Sequence, residues 1–327
     1  MELLTASTGS YPRIGDLAEQ QRHRQAYAGR EHGEISEEEF EQVQDDVTRE
    51  AIREQVKAGL DVVTDGQVRW HDPISHFAKK LEGCEINGLL RFFDTNFYFR
   101  QPVIHDKLVR RGSILKREFV FAKEVSSKPM KPVVTGPYTL AKLSINQRGG
   151  HFRTLVDEFA EIITQEIHDL VKAGAELIQV DEPAILKNPA DFQVFKEAVQ
   201  KVVGAKGKSK IILYTYFGDA APLYSKLIEL PVDGLGLDFT YSQKLVDTVV
   251  ITGCDKEIGL GLIDGRNTKI ERESEVLRIL ERVLPALEGQ RAYLNPSCGL
   301  GEYLPREIAF KKLQNMVSIA RKAREVA

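Results

Sequence analysis

Ala175-Glu-Leu-Ile-Gln-Val-Asp-Glu-Pro183 is the stretch on which the fold turns. Residues 176–180 read as a short strand rich in Leu, Ile and Val. It ends on two adjacent carboxylates, Asp181 and Glu182, and Pro183 stops the pattern because proline cannot donate to a sheet ladder. Upstream, from 151 to 174, apolar residues fall at helical spacing (Leu155, Val156, Phe159, Ile162, Ile163, Ile167, Leu170), and Gly174 suits the position just past a helix end. A helix, a glycine, a buried strand and acids at its carboxyl end together form the repeating unit of a parallel α/β barrel. Taken alone, the acidic pair could equally cap the next segment; the recurrence of the unit decides for a site.

The unit recurs along the chain. Ser36-Glu-Glu-Glu39 is a capping box that opens a helix to about Ala58. Gly59 ends that helix, and Leu60-Asp-Val-Val-Thr64 reads as a strand leading to Asp65 and Gln67. Pro132-Val-Val-Thr-Gly-Pro-Tyr-Thr139 reads as a strand running into a turn. Further strands are Ile211–Phe217, before Gly218-Asp219; Val232–Asp238; Glu257–Ile263, before Asp264-Gly-Arg-Asn267; and Ala292–Asn295, before Pro296-Ser-Cys-Gly299. Amphipathic helices fill the gaps, among them 271–287 and 305–324. Seven or eight strand–helix units predict one closed (β/α)8 TIM barrel over 1–327, with a doubly wound sheet as the alternative. An irregular insertion at about 69–131 holds the aromatic run Phe92-Phe-Asp-Thr-Asn-Phe-Tyr-Phe99, expected to be core or hairpin, and an insertion of this length is expected to fold over the barrel mouth.

Composition narrows the classes. The chain has 327 residues, 42% hydrophobic and 28% charged, as in an ordinary globular protein. A formal charge of −3 leaves no electrostatic footprint for nucleic acid or an acidic membrane. No apolar run reaches the roughly 20 residues that span a bilayer. Three cysteines, Cys84, Cys254 and Cys298, are odd in number and far apart, which points to a reducing, cytoplasmic setting. In a barrel the polar residues at the strand ends (Asp65, Gln67, Thr135, Asp181, Glu182, Asp219, Asp238, Asp264, Arg266, Asn295 and Cys298) converge on one rim. Capping alone does not account for so many.

At these positions the chain resembles the cobalamin-independent methionine synthase family. The matching segments are Gly9-Ser-Tyr-Pro-Arg-Ile-Gly15, Trp70-His-Asp72, Phe93-Asp-Thr-Asn-Phe97, Thr135-Gly-Pro137, Gln179-Val-Asp-Glu-Pro-Ala184, Thr215-Tyr-Phe-Gly-Asp219, Asp264-Gly-Arg-Asn267 and Asn295-Pro-Ser-Cys-Gly299. Family members have two similar barrels in tandem, the second holding a zinc ion that activates homocysteine for methyl transfer from methyltetrahydrofolate. The resemblance implies that Asp181 and Gln67 face the amino group of homocysteine, with Glu182 beside them. It implies that the Ser10 turn takes the carboxylate, and that Arg13, Trp70 and Asn96 contribute to substrate binding. Asp264 stands near a histidine implicated in proton transfer, so Asp181 and Asp264 are the candidate catalytic residues. Of the zinc ligands, Cys298 matches and Asp238 replaces a glutamate, while the His-x-Cys pair reads Thr215-Tyr-Phe217, so the metal site is incomplete.

Two functions follow from the resemblance. One is a methyltransferase that moves a methyl group from folate or methylcobalamin to homocysteine, with a degenerate zinc site. The other is a non-catalytic folate-binding or partner subunit, equivalent to the amino-terminal barrel of the long enzymes, that docks on a separate catalytic barrel. A barrel of the uroporphyrinogen decarboxylase superfamily is a third, more distant reading.

Overall fold

In the computed structural model, which describes residues 2–287 and 291–326, short parallel strands alternate with helices and close into a ring. The strands are β1 (Leu3–Thr5), β2 (Leu81–Arg91), β3 (Tyr98–Arg110), β4 (Val133–Thr135) and β5 (Ile145–Asn146). They continue with β6 (Leu177–Asp181), β7 (Lys210–Thr215), β8 (Gly234–Asp238), β9 (Glu257–Ile263) and β10 (Ala292–Pro296). Seven of them form one parallel sheet in the order β1-β10-β9-β8-β7-β6-β4. Residues 60–64 fill the gap between its edges. They bridge to Ala6 on one side and Met130 on the other, with Val62 N donating to Thr5 O at 3.0 Å and Lys131 N to Val63 O at 2.9 Å. Closure removes both edges and excludes the doubly wound alternative.

Local signals explain most elements. Ser36 and Glu39 form their capping box (Glu39 N to Ser36 Oγ 3.1 Å, Ser36 N to Glu39 Oε2 2.7 Å), and the helix Glu37–Ala58 stops at Gly59 in the left-handed region. The helix Phe152–Lys172 buries the apolar face read from the sequence, before Gly174 at φ +85°.

One expectation needs correction, one strand is additional, and the insertion takes the expected form. The strand expected over 132–139 stops at Thr135: Gly136 caps a helix, Pro137–Lys142, whose first turn accommodates the proline. The three-residue strand β1, too short to show a period, was not anticipated. The irregular insertion contains a long antiparallel hairpin, β2 paired with β3, whose tip at residues 92–97 reaches the barrel mouth.

Inside the barrel the large Tyr214 ring on β7 lies against Gly236 on β8 and Gly259 on β9; a Cβ at Gly236 would overlap that ring. Gly236→Ala is therefore expected to cost about 1–3 kcal/mol through overpacking, measured as a lower urea midpoint with unchanged slope.

Candidate functional site

The barrel rim draws separate turns together. Thr8 and Ser10 follow β1, Gln67 follows residues 60–64, Asp181 ends β6, Tyr216 and Phe217 follow β7, and Gly299, Glu302 and Tyr303 follow β10. With Pro73 and the hairpin residues Phe92 and Phe97 they line a cavity of about 30 Å³. That is room for about one water molecule.

Tight contacts hold these turns in place. Leu300 N donates to Ser10 O at 2.9 Å and Gly301 N to Ser10 Oγ at 3.1 Å. A Cβ at Gly299 would collide with Ser10 Oγ, so the two turns approach this closely because position 299 has no side chain. Among the described residues, the non-glycine residues with positive φ are Gln67 (+50°), Phe93 (+54°) and Phe217 (+61°). Gln67 and Phe217 line the cavity, and the Phe93 ring packs on Phe217 with centroids 6.1 Å apart. Each such conformation costs about 1–3 kcal/mol, so backbone strain is concentrated at one place, the mouth.

The cavity holds a buried carboxylate, Asp181, and a half-buried one, Glu302. Asp181 Oδ1 accepts from Gln179 Nε2 at 2.7 Å and Oδ2 from the Tyr216 hydroxyl at 3.1 Å. Burial pushes Asp181 up to about 7, against the pull of those bonds and of the Lys131 ammonium. Glu302 accepts from the Ser10 hydroxyl and lies 3.9 Å from Arg13 Nη2. Burial raises its pKa too, and the guanidinium only partly offsets this. Two raised carboxylates in one pocket favour a cationic ligand group.

The other sequence candidates scatter around this cavity. Arg13 touches its edge through Glu302 and donates to the Trp70 carbonyl. Asn96 lines a neighbouring cavity of about 200 Å³ with Asp94, Thr95, Phe217, Tyr241, Arg266 and Tyr303. Glu182 does not reach the pocket, although it is adjacent to Asp181. It is fully buried and accepts from Tyr138 N (3.0 Å), Thr139 N (2.7 Å) and Thr139 Oγ1 (2.7 Å), capping the helix Pro137–Lys142. Side chains alternate along a strand, so consecutive acids face opposite ways. Trp70 is likewise turned inward, donating to Glu118 at 3.0 Å and stacking on His76 at 4.7 Å. Asp264 is occupied in its own loop, accepting from Arg266 N (2.9 Å), Arg266 Nε (3.1 Å) and Asn267 Nδ2 (2.6 Å). Glu302, Tyr216 and Gln179 were not singled out from the sequence. Glu302 follows Pro296-Ser-Cys-Gly299 by three residues, and its turn was the available signal.

The zinc implied by the resemblance does not fit these residues. Among the described residues no three His, Cys, Asp or Glu side chains cluster as a metal site. Cys298 is buried and its thiol is pushed well up, first by burial and then by the Asp238 carboxylate. Asp238 Oδ1 accepts from Thr240 N (3.0 Å) and Thr240 Oγ1 (2.6 Å), and Oδ2, otherwise without a partner, faces Arg266 Nη1 at 3.8 Å. Thr215 brings a hydroxyl, and Phe217 brings no donor atom. One thiol, one carboxylate and a guanidinium already facing that carboxylate make a poor home for a dication that prefers thiolate and imidazole.

The chain matches the family described as "Cobalamin-independent synthase, Catalytic domain" over residues 3–322. It is similar to a methionine synthase of Saccharolobus solfataricus, 35% identical over 326 residues, covering 99% of this chain and 95% of that one. A methionine synthase of Sulfurisphaera tokodaii is 36% identical, covering 99% and 93%. Among solved structures, a B12-independent methionine synthase from Shewanella in complex with selenomethionine superposes with a TM-score of 0.82 at 19% identity, covering 100% and 99%. A methyltransferase from Methanosarcina mazei gives 0.64 at 14% identity, covering 96% and 94%. At these identities the structural likeness establishes the shared fold.

Elemental analysis of the purified protein is expected to give no stoichiometric zinc, and Cys298→Ala is expected to leave the metal content unchanged. Near-equimolar zinc that disappears in the variant would show that the site is rebuilt around Cys298.

Proposed function

This chain belongs to the cobalamin-independent methionine synthase family, and we propose that its barrel mouth binds homocysteine and passes a methyl group to the thiol sulfur. As a family member it is a methyltransferase of the methionine synthase type. The observation that carries the substrate assignment is the pairing, in one cavity, of buried Asp181 with the turn of Ser10. A carboxylate faces an α-ammonium there, while a hydroxyl and backbone amides can take an α-carboxylate. Gln67 contributes an amide where a second carboxylate is expected, and Glu302 restores an acid to the pocket. The Ser10 hydroxyl is already bonded to Glu302 and the cavity is small, so the turn carrying Glu302 and Tyr303 moves aside as the amino acid enters. The adjoining cavity, walled by Tyr241, Tyr303, Phe217 and Arg266, is the place for the donor, a methylfolate or a methylcorrinoid. No step is assigned to zinc. The domain spans 1–327, and free Cys84, Cys254 and Cys298 suit a cytoplasmic setting.

One observation favours a second reading. Thr215, Tyr216 and Phe217 stand where thiol activation needs His and Cys, and Arg266 faces Asp238. A barrel so built would serve as a folate-binding or partner subunit for a separate catalytic barrel. Incubating the isolated chain with homocysteine and either methyl donor separates the two. Methionine formed by the chain alone supports the first; turnover only after addition of a second barrel supports the other.

Methionine binding followed by calorimetry tests the pocket itself. Asp181→Asn is expected to cost about 1.5–3 kcal/mol, roughly ten- to hundredfold in affinity. In the unsubstituted protein, binding is expected to weaken as pH falls below about 7, because a protonated Asp181 cannot counter an ammonium group. Affinity that is flat in pH and indifferent to Asp181→Asn would remove the assignment.

A further inference from the structure

Beneath the pocket a lysine is buried within the barrel. Lys131 is 1% exposed. Its Nζ donates to Gln179 Oε1 at 2.6 Å and lies 4.7 Å from the centre of the Tyr214 ring. Gln179 is fully buried and turns its other end upward, where Nε2 donates to Asp181 Oδ1 at 2.7 Å and to the Thr8 carbonyl at 3.0 Å. A continuous chain therefore runs from an ammonium group on one stave, through one amide, to the carboxylate at the mouth. Its direction is set by chemistry. An ammonium can only donate, so Gln179 must present its oxygen to Lys131 and its NH2 to Asp181. An NH2 group donates best to an ionised carboxylate.

We propose that Lys131 is a positioning residue for the amino-acid site, acting through Gln179 to hold Asp181 as the oriented, ionised carboxylate that receives the substrate's ammonium group. This deepens the proposed function and rests on it as far as the ligand is concerned; the link between Lys131 and Asp181 stands apart from it. The charged and titratable groups around Asp181 come from several elements. Lys131 precedes β4, Tyr214 lies on β7 and Tyr216 just beyond it. Glu182 adjoins Asp181 in sequence, and Glu302 and Arg13 lie across the pocket. Of these, Lys131 is the cation whose charge acts on Asp181, pulling its pKa down, while Asp181 in turn supports the ammonium form of Lys131. Burial works against both charges. Burial outweighs that support and brings Lys131 down to about 7, so the lysine carries its charge and helps binding at and below the Asp181 midpoint, and loses its influence above it.

Lys131→Met keeps the length of the side chain and removes the charge. The exchange leaves Gln179 Oε1 buried without its donor, so a lower melting temperature is expected with the fold retained. Gln179→Leu cuts the relay and leaves the lysine in place. The first readout needs no ligand: the ¹³Cγ titration of Asp181 in the free protein, assigned with Asp181→Asn. Its midpoint is expected to rise by about one pH unit in both variants. An unchanged midpoint in both would overturn the proposal, whatever the protein binds. The second readout is methionine affinity against pH. Lys131→Met is expected to bind more weakly below the midpoint, about tenfold, and equally well above it, where the lysine has itself lost its charge. Profiles that differ below the midpoint and merge above it are the signature of electrostatic positioning, whereas a uniform loss at every pH would mark Lys131 as merely structural and overturn it. A shifted midpoint in a protein that binds no methionine would support the link while removing the substrate assignment.

Discussion

A carboxylate deprived of water at the end of a parallel strand is the constraint on which this molecule depends. Asp181 occupies that position on β6, almost fully buried, and burial alone would hold it in the neutral form. Everything in contact with it offsets this. Tyr216 and Gln179 donate to it, and Lys131 supplies a positive charge from the neighbouring stave. The barrel interior, elsewhere filled by Tyr214 against glycines, gives up apolar packing here to carry a polar chain to the mouth. A buried polar chain is tolerable only when its members find partners.

The mouth shows a second cost. Backbone strain among the non-glycine residues described is confined to Gln67 and Phe217, which line the cavity from different parts of the chain, and Phe93, which packs on Phe217. Strain persists where surrounding structure over-determines it. Here the hairpin tip and the turn after β7 press on one another through Phe92, Phe93 and Phe217, while Gln67, in the turn after residues 60–64, lies beside Gly9. The Glu302 turn closes the remaining side through Ser10. An amino acid entering the cavity would replace internal hydrogen bonds with its own, so the closed mouth and the strained turns belong to one device.

Beside it, the corner that would hold a metal has become an ion-pair corner. Arg266 lies between Asp238 and Asp264, and donates to Thr240 Oγ1 at 2.7 Å. A guanidinium supplies fixed positive charge without an exchangeable coordination position, which is the property thiol activation by zinc requires. The proposed amino-acid pocket and the expected metal corner are thus separate parts of the rim: Asp181 and Ser10 line the one, and Arg266 faces Asp238 in the other.

Much of this was written in the sequence. The helix–glycine–strand–acid unit was legible because helix period, glycine stops and buried apolar runs are local signals, and closure into a barrel follows from their repetition. Gln67 and Asp181 could be named because each follows a segment legible as a strand, and Ser10 because its segment carries the family resemblance. The sequence did not reveal that Glu182 faces away from its neighbour to cap a helix, nor that Trp70 turns inward. It did not show that Glu302 enters the pocket or that Lys131 reaches Asp181 through Gln179. Those facts depend on contacts between residues up to 292 positions apart, and no local pattern carries such distances. Sequence by itself determined most of the staves and the rim on which the acids stand; tertiary structure alone decided the short stave β1 and which acids share a cavity, because pairing across the barrel is settled by how turns from opposite ends of the chain pack.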